Sequence, residues 1–288
     1  MSLFYPTSLD RVVAVSDAPL TAACLHGGVP LVGDRDGRVF RADGDPVELA
    51  RHRGAVRALV SAGPLVASVG EGGVVRAWPR GLGELRRQAV IPGPLICGTA
   101  RDGVVFVGAA DGRIWWWDVD LGPARCFGTV TAPARALALL EDGRLLAAQG
   151  TLSIIELDVQ GHPVRTLDGH LYPPSGLHVP PGERVLWSLD PSPLLIRWDL
   201  DEHLDQRVRS PDNLPGFEGP HRALAVDPGG RWLAVAGGDT VRVLSADALR
   251  LLATWQSPVE ITALAAGADG GLLVGGEDGR LRVLAQAA

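Results

Sequence analysis

The feature that most constrains this chain is a turn signal that returns on a fixed beat. Short turn pairs stand at Asp36-Gly37, Gly72-Gly73, Asp111-Gly112, Gly150-Thr151, Pro191-Ser192, Gly238-Asp239 and Asp278-Gly279. Apolar runs flank each of them, as in a hairpin. The six intervals between Asp36 and Asp278 average about 40 residues. The clearest unit reads Val56-Arg57-Ala58-Leu59-Val60, then Leu65-Val66-Ala67-Ser68, then Gly72-Gly73 and a run ending in Trp78. A fourth strand is expected near 84–91. Four short strands per unit at this period predict a propeller blade, and seven turns predict seven blades.

The chain ends predict how such a ring closes. The last unit has strands near 261–265, 272–275 and 281–285 but no fourth, while Arg11-Val12-Val13-Ala14-Val15 precedes the first complete unit. That segment is expected to supply the outer strand of blade seven, with residues 10–18 closing the ring against 261–288. Closure would leave no long sheet edge exposed. The expected fold is therefore all-β: one seven-bladed β-propeller domain over residues 1–288, four antiparallel strands per blade, with the N-terminal strand completing the last. No amphipathic helix longer than about two turns is expected. The irregular stretch 201–220, with an outer strand near 206–210, reads as an enlarged loop between blades.

Composition agrees and excludes several activities. The 37 Gly and 22 Pro suit many short elements joined by turns. All 27 basic residues are Arg. Without Lys there is no phosphate-loop lysine, no pyridoxal Schiff base and no kinase-type ATP lysine. A net charge of −6 argues against nucleic acid as partner. Cys24, Cys97 and Cys126 are scattered, and Cys24 and Cys97 lie in apolar runs that suit buried thiols better than disulfides. The first ten residues lack a basic stretch followed by an apolar one, and no apolar run approaches the roughly 20 residues of a membrane helix. A cytoplasmic location and no membrane partner are expected. His162, His170 and His178 are spaced too widely for a local metal motif, so neither metal nor cofactor is expected.

The residues at particular strand positions resemble the WD-repeat family. Leu65-Val66-Ala67-Ser68 followed by Trp78, Ile114 to Trp117 followed by Asp118, and Ile196-Arg197-Trp198-Asp199 look like its second and third strands. Asp168-Gly169-His170, and Arg51-His52 before blade two, look like its opening Gly-His. The resemblance covers the whole chain. It implies a tetrad in each blade: a loop His, a second-strand Ser or Thr, a turn Asp and a third-strand Trp. His52, Ser68 and Trp78 match in blade two, with Gly72 at the Asp place; His170, Ser188 and Trp198 match in blade five, with Ser192 there. Blade three has Asp111 and Trp117 without the His. Blades one and seven keep Asp36 and Asp278 but have Ala42 and Leu284 for Trp. No blade is expected to be complete, and cohesion is expected from interleaved Leu, Val and Ala. The array reads as divergent, and the missing Lys and single Asn point to a bacterial source.

Candidate binding residues follow from strand register. Arg57, Arg135 and Arg222 open the first strands of their blades alike, with Thr262 in register in blade seven. They form either a partial guanidinium ring at the channel mouth, suited to a carboxylate or phosphate, or ion pairs with turn acids such as Glu71 or Asp36. Trp115, beside Trp116, is either an interface anchor or inter-blade packing. Tyr172 and Phe217 sit on Pro-rich loops that either present them or fold them onto the blades. No catalytic residue is assigned: nucleophile-elbow, zincin and dinucleotide fingerprints are absent, and the expected channel strands are mostly apolar apart from His178. By family analogy the expectation is a non-catalytic scaffold for a protein or peptide, acting as a monomer or a hetero-complex subunit. The alternatives are a propeller enzyme with a small-molecule site in the channel, or a regulatory or sensor subunit of a bacterial multi-protein complex.

Overall fold

Each repeat folds into a four-stranded antiparallel meander in the computed structural model, which describes residues 5–79, 81–192, 194–201, 207–209, 221–267 and 269–285. The described residues hold 28 strands in seven such sheets and no helix. Blade one shows the plan, from the innermost strand a to the outermost strand d: Leu20–His26, Val29–Asp34, Arg38–Arg41 and Val47–Arg51. Burial follows radius. Strand a alternates between buried and half-buried residues, as its two faces meet different surroundings. In blade two, strand b, Leu65–Gly70, is buried throughout, because neighbouring blades cover both of its faces. The outer strand Val47–Arg51 is largely open to solvent.

The N-terminal strand completes blade seven. Ser8–Ala14 pairs antiparallel with Arg280–Ala285, from Ser8 opposite Ala285 to Ala14 opposite Arg280. Packing closes the same circle. Each apolar core cluster is shared by two successive blades: Leu65, Val75 and Ile91 of blade two meet Leu95, Val107 and Trp117 of blade three. The circle ends where Leu20, Val32 and Phe40 of blade one meet Leu273 and Leu281 of blade seven. Burying each large side chain stabilises by about 1.5–3 kcal/mol, so the interleaved aliphatic residues carry most of the cohesion.

The turn glycines explain the beat in the sequence. Gly112 adopts φ +84°, and its carbonyl accepts from Val130 N at 2.9 Å, where the chain leaves strand d for the next blade. A Cβ there would run into the Val130 carbonyl oxygen. Gly37, Gly73 and Gly279 hold the outgoing chain at His52, Ile91 and Ser16 in the same way. A meander puts the b–c turns and the d–a connections on one face of the disc, the loop face. The a–b and c–d turns lie on the other, the turn face.

Candidate interaction surfaces

Blade five contains a complete polar relay. His170 Nε2 lies 2.6 Å from Ser188 Oγ, which also accepts from Trp198 Nε1 at 2.7 Å. On the other side of the ring, His170 Nδ1 is 3.1 Å from Asp190 Oδ2. The acid is thus Asp190, two residues before the Ser192 that stands at the family position. Ser192 serves it instead, donating through N and Oγ to Asp190 Oδ1. This corrects the expectation that no blade is complete. His170, Ser188 and Asp190 are buried, and Asp190 also accepts from Leu171 N at 3.1 Å and Tyr172 N at 3.3 Å. Burial alone would raise the Asp190 carboxyl, but the hydrogen bonds from His170, Ser192 and Leu171 hold it below the usual carboxylate range.

The other blades keep fragments. In blade two His52 Nε2 lies 2.6 Å from Ser68 Oγ and Trp78 is buried, but Gly70 stands where Asp190 does and His52 Nδ1 is buried without a partner. Burial, reinforced by the Arg76 charge, pushes His52 down to about 4. In blade three Val107 replaces the serine. Trp117 Nε1 donates instead to Gly122 O at 2.9 Å, and Asp111 pairs with Arg113. Blades one and four use the Asp190 position with other partners: buried Asp34 accepts from Ser16 Oγ and from the backbone N and guanidinium of Arg38, and buried Gln149 accepts from Thr131.

At the loop-face end of the channel the arginines divide. Arg57 pairs with Glu71 at 2.9 Å, as the turn-acid alternative requires, and that hydrogen bond holds Glu71 below its ordinary range. Arg135 is exposed and makes no ion pair among the described residues. Arg57, Ile96, Arg135 and Ser175 line a cavity of about 300 Å³ there. Arg222 is the second residue of the strand His221–Val226, but its side chain lies outside the described residues, as does Phe217 altogether. The threonines in this register bind blades together: Thr21 Oγ1 donates to Val56 O at 2.7 Å, and Thr262 Oγ1 donates to Leu20 O.

The aromatic residues also divide. Tyr172 is 55% and Leu171 65% exposed on the loop that follows His170. Trp115 is half-buried against the core between blades two and three, under the Arg113 guanidinium at 5.4 Å. Its packing makes it part of the inter-blade seam rather than a free-standing anchor. Trp116, on the other sheet face, lines a cavity of about 540 Å³ on the turn face with Phe106, Phe127, Leu139 and Val159. Sequence reading passed over that cavity, because its walls come from five separate segments of blades three and four.

Seven four-stranded blades, strand-level closure and a His–Ser–Trp–Asp relay define a WD40-type β-propeller fold. A solved structure of similar build is the WD40 beta propeller domain of Doa1, with a TM-score of 0.84 and 17% identity over 99% of this chain and 98% of that one. At that identity the likeness is one of fold. No family model matches the sequence. No curated protein matches it either.

Proposed function

We propose that this protein is a non-catalytic scaffold that binds a protein or peptide on the loop face of the propeller. The observation that carries the reading is the Asp190 clamp. A buried carboxylate fixes the backbone N–H groups of Leu171 and Tyr172 while both side chains stand in solvent. Two large apolar side chains held on a rigid loop lose little entropy on binding, which is how aromatic anchors gain affinity. The cavity beside Ser175 adds the exposed Arg135, which makes no ion pair among the described residues, so the favoured partner segment carries a carboxylate next to an apolar residue. WD40-type propellers commonly serve as interaction scaffolds, and that analogy supports the reading. All three cysteines are free, which fits the cytoplasmic location we propose.

The test is purification of the native complex, identification of its co-eluting protein, and measurement of that protein's affinity for wild type and for Tyr172→Ala with Arg135→Ala. The expected loss is at least about tenfold, as for interface anchors. Thermal stability should hardly change, since both side chains are at the surface. A partner bound equally well by the double variant overturns the proposal.

A further inference from the structure

On the turn face, the cavity between blades three and four adjoins a second of about 350 Å³ at the channel end. Arg101, Asp102 and Leu139 line both. The first is apolar and aromatic. The second is polar, with Ser61, Thr99 and His178 in its wall. Arg101 forms the ridge between them, and its Nη2 donates to Leu139 O at 3.2 Å across the blade boundary. Its Nη1 is buried without a hydrogen-bond partner, and Arg101 makes no ion pair among the described residues. His178 Nε2, in the second cavity, is likewise buried without a partner. A buried guanidinium nitrogen lacking an acceptor is costly, and an anion placed against it removes the cost. The nearby acids leave that role open. Glu141 already accepts from Gly182 N at 2.7 Å, and Asp102 is exposed.

We infer that this double cavity is a second peptide-binding site, on the face opposite the loop-face site and independent of it. Its occupant is an extended segment with a large apolar side chain and an acidic side chain two residues apart. In an extended chain residues i and i+2 point the same way, about 7 Å apart, so one chain can seat a side chain in each cavity. The apolar group enters among Phe106, Trp116, Phe127 and Val159. The carboxylate reaches the Arg101 guanidinium, in the cavity that His178 also lines. One charged contact and one aromatic pocket are the elements from which short-peptide recognition is built.

Cys126 provides a reporter. It lines the aromatic cavity and is exposed, whereas burial pushes Cys24 and Cys97 up to about 12 and hides them. The probes are fluorescein-labelled peptides with the core Phe-Ser-Asp or Asp-Ser-Phe, against Phe-Ser-Asn and Ala-Ser-Asp controls. Binding is read by anisotropy and by the rate at which a maleimide labels Cys126. At least one acidic-aromatic probe should bind about tenfold more tightly than its Asn or Ala control and slow Cys126 labelling several-fold. Arg101→Gln should remove the preference for Asp over Asn. Val159→Arg, a change at a 53% exposed position that blocks the groove without touching the core, should abolish binding. Equal binding of Asp and Asn peptides, undiminished binding by Val159→Arg, or equally tight binding of free 3-phenylpropionate would each overturn the inference. None of these results bears on the Tyr172 and Arg135 experiment, so the two sites stand or fall separately.

Discussion

Asp190 and Gly70 occupy corresponding positions, two residues beyond Ser188 and Ser68, and the contrast shows what one carboxylate does. In blade five the acid collects His170 Nδ1, two backbone N–H groups and Ser192, and the loop carrying Tyr172 is held. In blade two a Cβ at Gly70 would collide with the His52 ring, so the histidine closes over bare backbone and its Nδ1 goes unpartnered. The two sites are different local solutions, and an acid cannot simply be transplanted from one to the other. Asp190→Asn should therefore be severe, because the amide nitrogen offers donors where donors already converge. A loss of about 2–4 kcal/mol is expected from breaking a buried charged hydrogen-bond set. Urea unfolding measures it, and amide exchange at Leu171 and Tyr172 should accelerate in the same variant. A change under about 0.5 kcal/mol, the ordinary scatter of surface substitutions, would show that the relay does not hold the loop.

At the scale of elements, the recurring turn is the piece of the design written most openly in the chain. Gly112 combines positive φ with a carbonyl oxygen where a Cβ would have to stand, so Gly112→Ala meets both penalties and should cost more than about 2 kcal/mol. Gly44→Ala, where a Cβ meets nothing within 4 Å, is the matched control and should stay within about 0.5 kcal/mol. Similar melting points for the two would leave the 40-residue beat without its physical cause. Because that cause is local, turn chemistry and alternation exposed the blades in the sequence, together with the Ser8–Ala14 strand that completes blade seven. The tetrad was legible only in part. The eye goes to Ser192 because the resemblance points there, yet Asp190 closes the apolar run of its strand just as Asp34 does in blade one. The turn-face cavity was not legible at all. Residues 101–106, 116, 126–127, 139–143 and 159–160 are brought together only by docking one blade on the next, and no spacing rule encodes that.

For the whole molecule, the decisive property is that the ring is joined by noncovalent pairing between the two ends of the chain. Strand Ser8–Ala14 is the outer strand of blade seven although it is made first, and Val13 and Val15 also pack into the cluster that joins blades seven and one. Removing residues 1–14 takes away that strand and exposes the edge of Arg280–Ala285, a row of unpaired backbone groups that invites association. The truncated protein should lose about 5 kcal/mol, a large share of the 5–15 kcal/mol typical of a folded domain, and should self-associate in size-exclusion chromatography. A circular permutant separates loss of the strand from loss of its position in the chain. Starting the chain at Ser16 and joining residue 288 to residue 1 places Ser8–Ala14 directly after the strand it pairs with, and Ser8 already lies opposite Ala285. The hairpin register is preserved, so the permutant should melt cooperatively within a few degrees of the parent and remain monodisperse. Closure would then be a matter of which strands meet rather than of where the chain begins. A permutant as unstable as the truncation would mean that folding needs the early strand to wait for the last blade, and the equilibrium account of ring closure would fail.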